Sequence, residues 1–121
     1  MVRYTKEHEW VDLAGSEATV GITEHAAHEL GDITFIELPA VGANFAAGSV
    51  LLVIESVKAA ADVYCPAAGT VSAVNDELDS KPELVNESPE KNGWLCKLSG
   101  VKAADVEGLM TRDQYLAFVQ H

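Results

Sequence analysis

Short strand-like segments, separated at close intervals by glycine and proline, constrain the fold of this chain more than any other feature. The segments span residues 18–22, 33–38, 50–54, 62–65, 70–74 and 93–98. Residues 18–22 alternate between apolar and polar or small, whereas the continuous apolar run 50–54 predicts a strand that is covered on both faces. Many short strands with this punctuation predict a small β-sandwich or barrel.

Two short helical segments are predicted at the periphery of the sheets. Thr23 can cap a helix over residues 24–30, and Gly31 can terminate it. Asn75 is expected to cap a helical turn that runs towards Lys81.

The clearest helical signal is at the C-terminus, over about residues 111–120. Thr111 and Gln114 have the spacing of a capping box, and Tyr115 and Phe118 share a face of the helix. No low-complexity linker precedes this helix, so we expect residues 1–121 to form a single domain with the helix packed on the sheets.

Charge and hydropathy narrow the function classes. The formal net charge is −11, from 19 acidic and 8 basic residues, which disfavours nucleic acid and anionic membranes and favours basic partner surfaces. No apolar run approaches the roughly 18 residues of a transmembrane helix. The N-terminus resembles neither a secretory signal nor a transit peptide. The expectation is a monomeric, cytoplasmic protein.

The cysteines and histidines predict no metal site. Cys65 and Cys96 lack the spacing of zinc ligands and lie in apolar stretches, so each is expected to be a small core side chain. His25 and His28 share a helical face without an evident third ligand, which favours a surface helix. His8 is expected to be packed or hydrogen-bonded rather than chemically active.

Lys58 is the main candidate for a functional residue. It lies between two apolar runs, at the polar interruption where the chain can reverse, with Ser56 and residues 59–61 as small neighbours. A lysine on a hairpin tip is accessible to a modifying enzyme, and its flexible stem suits a carrier arm. The alternative is an ordinary turn lysine.

Several motifs together carry a resemblance to a known family. They comprise residues 55–59 (Glu-Ser-Val-Lys-Ala), Gly69 eleven residues after the lysine, and residues 4–10, 20–23, 30–32, 37–39, 83–89 and 93–94. This ordered set, spread over residues 3–119, resembles the H protein of the glycine cleavage system. The resemblance implies a mainly β barrel-sandwich hybrid of two antiparallel sheets, like lipoyl and biotinyl domains, with short peripheral helices. It also implies that lipoic acid is joined to Lys58 through an amide.

The function implied by the resemblance is that of a carrier without catalytic activity. Such a protein shuttles the methylamine group of glycine from a pyridoxal-phosphate-dependent glycine decarboxylase (P protein) to a tetrahydrofolate-dependent aminomethyltransferase (T protein). Dihydrolipoamide dehydrogenase (L protein) then reoxidises it, and lipoyl-attaching enzymes are further partners. The expected location is the bacterial cytoplasm.

The resemblance also assigns roles to residues around Lys58. Positions that help the attaching enzyme recognise its lysine are matched by Glu55, Gly69 and Gly42. For a glycine in a turn, however, a positive φ is by itself a sufficient explanation.

Three acidic residues match positions near the parked arm in this family. Glu9 and Asp62 could hold the ammonium of the methylamine-loaded arm by charge-assisted hydrogen bonds. Glu7 matches a position that some relatives fill with serine. The alternative for each is a solvated carboxylate.

Other carrier classes fit the residues less well. A lipoyl domain of a 2-oxoacid dehydrogenase has an Asp-Lys-Ala turn, and a biotin carrier protein has Met-Lys-Met, whereas this chain has Val57-Lys58-Ala59. An H-like protein that relays lipoyl groups to other enzymes has no distinguishing sequence feature. An interaction module without a cofactor remains the alternative outside the carriers.

Overall fold

The computed structural model describes residues 1–120, which form nine strands and five helices. The strands are β1 (Val2–Tyr4), β2 (Glu9–Ala14), β3 (Glu17–Ile22), β4 (Ile33–Glu37), β5 (Asn44–Phe45), β6 (Val50–Ser56), β7 (Ala60–Tyr64), β8 (Gly69–Val74) and β9 (Cys96–Ser99). The helices are α1 (Glu24–Leu30), α2 (Glu77–Ser80), α3 (Leu84–Glu87), α4 (Ala103–Glu107) and α5 (Arg112–Val119).

The strands form two antiparallel sheets around a shared apolar core. One sheet has six strands in the order β1-β2-β3-β9-β8-β5, and the other has three in the order β4-β6-β7. Apolar side chains from both sheets are buried in one cluster. Each predicted strand segment overlaps an observed strand, whereas β1, β2 and β5 were not predicted.

The three-stranded sheet is buried on one face only. Ile36 and Ile54 are paired neighbours that point into the core, while Phe35 and Glu55, one position along, are exposed. Val50 is 44% exposed, so the prediction that residues 50–54 are covered on both faces is wrong. Val50, at the start of β6, is therefore partly open to solvent.

The helix caps confirm one prediction and correct another. Thr23 Oγ1 accepts a hydrogen bond from Ala26 N at 3.2 Å, and α1 ends at Gly31 with φ +74°. Asn75, however, does not cap α2 with its side chain. Its side-chain amide instead donates 2.9 Å hydrogen bonds to the carbonyls of Asn92 and Trp94, because this buried amide bridges to the loop before β9.

The C-terminal helix α5 begins with the predicted capping box. The side chain of Thr111 accepts from Gln114 N, and the Gln114 side chain accepts from Thr111 N. Tyr115 is buried and stacks on Tyr4 of β1, with ring centroids 4.9 Å apart. The helix is therefore attached to the outer strand of the six-stranded sheet.

Both cysteines are buried in the core, as predicted, and neither forms a disulfide. Burial raises the pKa of Cys96 to about 12 and also raises the pKa of Cys65. Both thiols are therefore protonated and unreactive at neutral pH.

Candidate functional site

Lys58 is exposed in the short connection between β6 and β7. Ser56 N donates to Ala59 O at 2.8 Å, which closes the turn. The hydroxyl of Ser56 also accepts hydrogen bonds from Lys58 N and Ala59 N, both at 3.2 Å. Ser56 thus orders the backbone that presents Lys58, a role that the sequence analysis did not assign.

A cavity of about 230 Å³ lies between β7 and α1, near this hairpin. Its walls come from Ala61, Asp62 and Val63 on β7, from Ala26, Glu29 and Leu30 on α1, and from Glu7, His8, Glu9 and Ile22. The structure therefore brings together the three predicted arm-sheltering carboxylates and adds a fourth, Glu29. Among the described residues that line this acidic cavity, none is a lysine or arginine.

Glu9 is the buried carboxylate of the acidic cavity, with only 2% of its surface exposed. Thr5 Oγ1 donates to Glu9 Oε1 at 2.5 Å, and Tyr64 N of β7 donates to Oε2 at 3.3 Å. Burial raises the pKa of Glu9, and the hydrogen bonds from Thr5 and Tyr64 partly oppose this rise. Its burial excludes the alternative of a solvated carboxylate for Glu9.

The other carboxylates of the cavity lie at its rim. Asp62 and Glu7 are exposed, so the solvated-carboxylate alternative stays open for both. Glu29 Oε1 lies 2.8 Å from His25 Nε2, one helical turn earlier on α1. Sequence reasoning missed Glu29 because its proximity to Glu9 depends on how α1 packs.

His8 is packed and hydrogen-bonded, as the sequence analysis expected. Its Nδ1 lies 2.8 Å from Tyr115 Oη, and its ring lies 4.6 Å from the ring of His25. Burial lowers the pKa of His8, and the nearby His25 lowers it further. His8 has φ +70°, a left-handed backbone that is uncommon outside glycine, immediately before Glu9.

The three predicted recognition residues do not lie together in one strand or turn. Glu55 is exposed on β6, where it pairs with Ala60 and lies three residues before Lys58. Gly42 has φ +94° with nothing within 4 Å, so positive φ explains it.

Positive φ was the explanation offered for both Gly42 and Gly69. It is wrong for Gly69, which is not among the residues with positive φ. A Cβ at Gly69 would lie 2.9 Å from Ser99 O and 3.0 Å from Val101 Cγ2. The close approach of the end of β9 and of the residues that follow it therefore requires this glycine.

Two negative findings concern the described part of the chain. No group of three or more histidine, cysteine or carboxylate side chains within residues 1–120 could hold a metal ion. In the same range, no helix has both the length and the apolar character needed to span a membrane.

Comparison with known proteins decides the family. Residues 2–121 match the family model described as glycine cleavage H-protein. The chain belongs to this family. Named relatives are the glycine cleavage system H proteins of Phenylobacterium zucineum, 50% identical over 118 residues (98% of both chains), and Thermotoga maritima, 48% identical over 118 residues (98% of this chain and 95% of the relative).

A solved structure agrees with the family and the fold. The crystal structure of a glycine cleavage system H protein from Mycobacterium marinum superposes with a TM-score of 0.88 at 31% identity, covering 99% of this chain and 97% of that one. The barrel-sandwich fold class expected from the sequence is thereby confirmed. As a glycine cleavage H-protein, the chain is a lipoyl carrier component of the glycine cleavage system and not itself a catalyst.

Proposed function

We propose that Lys58 is the residue that carries the lipoyl group, through an amide, in this glycine cleavage system component. The supporting observation is that exposed Lys58 lies on an ordered hairpin turn beside an acidic cavity. An attaching enzyme can reach a side chain at such a turn without opening the sheet. The attached dithiolane supplies an acceptor for electrons and for the aminomethyl group.

This role implies two groups of partners: the three other enzymes of the glycine cleavage system and the enzymes that attach the lipoyl arm. Lys58 presents the arm in turn to the pyridoxal-phosphate glycine decarboxylase, the tetrahydrofolate-dependent aminomethyltransferase and dihydrolipoamide dehydrogenase. Glu55 is the recognition residue for attachment, because its exposed carboxylate lies on the strand that leads into the hairpin. Gly42 and Gly69 support recognition only through the backbone shape that they permit. The proposed setting is a bacterial cytoplasm.

Glu9, Asp62 and Glu7 shelter the loaded arm in the acidic cavity. An ammonium there can donate charge-assisted hydrogen bonds to the carboxylates, while Ile22, Ala26 and Leu30 offer apolar contact to the arm. Because Glu9 is buried and its Oε2 is held only by a 3.3 Å hydrogen bond, it is the least water-screened acceptor.

The experiment is intact-mass analysis of protein made in cells with adequate lipoate. The mass should rise by one lipoyl group, with the fragment localised to Lys58. Lys58→Arg should abolish this rise and glycine-dependent release of carbon dioxide, with little loss of stability because the side chain is exposed. Lys81→Arg, at another exposed lysine, is the matched control and should behave as wild type. An unmodified Lys58 in lipoylating cells would overturn the proposal.

A further inference from the structure

Gly31 lies directly against the side chain of Lys58, where α1 ends. A Cβ placed on Gly31 would lie 3.2 Å from Lys58 Cε, 3.6 Å from Cδ and 3.7 Å from Nζ. The other described glycines with positive φ are Gly15, Gly42, Gly48 and Gly100, and a Cβ at any of them would meet nothing within 4 Å. The backbone conformation of Gly31 is by itself a reason for glycine, but among these five glycines only Gly31 also lies against another side chain.

The backbone around Gly31 is fixed to both the hairpin and α3. Val57 N donates to Asp32 O at 3.0 Å, which places the Lys58 turn against the end of α1. Asn86 of α3 donates to Gly31 O at 2.8 Å and accepts from Ile33 N at 2.9 Å. The surface under the lysine stem is thus held from two sides.

Gly31 also directly follows two consecutive residues of the acidic cavity. Glu29 and Leu30 line that cavity together with Glu9 and Asp62. On the other side of α1, Gly31 itself lines a more open space that has only two carboxylates, Glu24 and Asp32. A stem that crosses Gly31 can therefore turn to either side, and the four carboxylates of the acidic cavity favour that side for a cationic arm.

We propose that Gly31 is a positioning residue for the arm on Lys58. Because it lacks a side chain, it lets the stem cross the end of α1 so that the loaded arm enters the acidic cavity. This inference rests on the proposed function, since it takes Lys58 as the carrier residue. A methyl group at Gly31 would meet the flexible stem of Lys58 and would also strain the backbone at φ +74°, so the test needs a control alanine at another positive φ.

The first measurement needs no variant and no cofactor. In the unmodified protein, a nuclear Overhauser effect is expected between the Gly31 Hα protons and the Lys58 Hε protons. Its absence would overturn the contact on which the proposal depends.

The second measurement compares Gly31→Ala with Gly15→Ala, which also places alanine at a positive φ (+66°) but in open space. Lipoylation of each protein is first verified by mass, and a missing lipoyl group in wild type would refute the proposed function rather than this inference. A phosphine first reduces the dithiolane to the dithiol and is itself oxidised to the phosphine oxide. One thiol is then loaded with ammonium and formaldehyde, which forms the aminomethyl thioether and releases water. Backbone amide shifts on loading are recorded by ¹⁵N NMR.

Wild type and Gly15→Ala should show loading shifts at Ala26, Leu30 and Val63. Gly31→Ala should lose most of these shifts while keeping its lipoyl group. Equal shifts in Gly31→Ala and wild type, or no shifts at these residues in wild type, would overturn the positioning role.

Discussion

At the scale of single residues, Glu9 is the side chain whose environment departs most from that of a surface carboxylate. It is buried, it joins Thr5 to the edge of β7, and burial raises its pKa. A carboxylate in this position lowers the stability of the fold when it ionises. A functional role therefore explains the presence of Glu9 better than a contribution to stability does.

The paired change Glu9→Gln with Asp62→Asn should speed the spontaneous decay of the loaded arm. This decay consumes water, breaks the carbon–sulfur bond and yields thiol, formaldehyde and ammonium. A charged hydrogen bond contributes about 1.5–3 kcal/mol, and Asp62 is exposed and therefore screened. We expect decay to be about tenfold faster, which corresponds to about 1.4 kcal/mol.

Ammonium release from loaded protein measures this decay. Lipoylation of Lys58 should be unchanged in the double variant. The control pair Glu77→Gln with Asp79→Asn removes two exposed carboxylates from α2, away from the acidic cavity. Equal decay rates in wild type and the Glu9/Asp62 variant would mean that these two carboxylates do not shelter the arm.

The raised pKa of Glu9 predicts a pH-dependent effect on stability. A carboxyl group with a raised pKa in the folded state binds protons on folding, so its contribution weakens as pH rises from the ordinary value of 4.5 through the folded pKa. Glu9→Gln removes this ionisation. The gain in melting temperature from Glu9→Gln should therefore be larger at pH 7 than at pH 4.5. A difference between the two proteins that does not vary with pH would contradict the assignment.

At the scale of secondary-structure elements, the β6–β7 hairpin is shaped by Ser56 and anchored at Asp32. The serine hydroxyl accepts two backbone hydrogen bonds inside the turn, and Val57 N reaches the carbonyl that precedes β4. The turn is therefore an ordered platform for Lys58 rather than a loose loop.

Ser56→Ala should loosen this platform without unfolding the sheet. The amides of Lys58 and Ala59 lose their side-chain acceptor, so their hydrogen exchange should accelerate and the initial rate of lipoyl attachment should fall. The loss of stability should stay within about 0.5–1.5 kcal/mol, because the turn is exposed. Ser80→Ala removes another exposed hydroxyl, on α2, and should leave attachment unchanged. Attachment at the wild-type rate in Ser56→Ala would show that the turn needs no serine.

At the scale of the whole molecule, two sheets of unequal size enclose one core while the surface carries a net charge of −11. Such a charge attracts basic surfaces over distances comparable with the Debye length, about 10 Å at 0.1 M salt. We therefore expect this field to affect the rate of encounter with partner proteins rather than the fold.

Reaction of the lipoylated protein with its partner enzymes should slow as salt is added. The second-order rate constant for reoxidation by dihydrolipoamide dehydrogenase, measured between low and high sodium chloride, is the test. Free dihydrolipoamide, which lacks the acidic scaffold, is the control and should respond much less. The same salt dependence for both substrates would locate the effect in the enzyme alone.

The sequence by itself determined the features that depend on neighbours along the chain. The α1 cap at Thr23, the capping box at Thr111 and the strand segments follow from local hydrogen bonding and side-chain periodicity. The ordered motifs spread over residues 3–119 also indicated the family, which the comparisons confirmed.

Only the tertiary structure decided how distant segments meet. Tyr64 reaches Glu9 across 55 residues of sequence, and Lys58 rests on Gly31 because Val57 pairs with Asp32. Gly69 is required by a neighbouring segment rather than by its own φ. These contacts depend on sheet register and on helix packing, and neither is encoded in any single short stretch of residues.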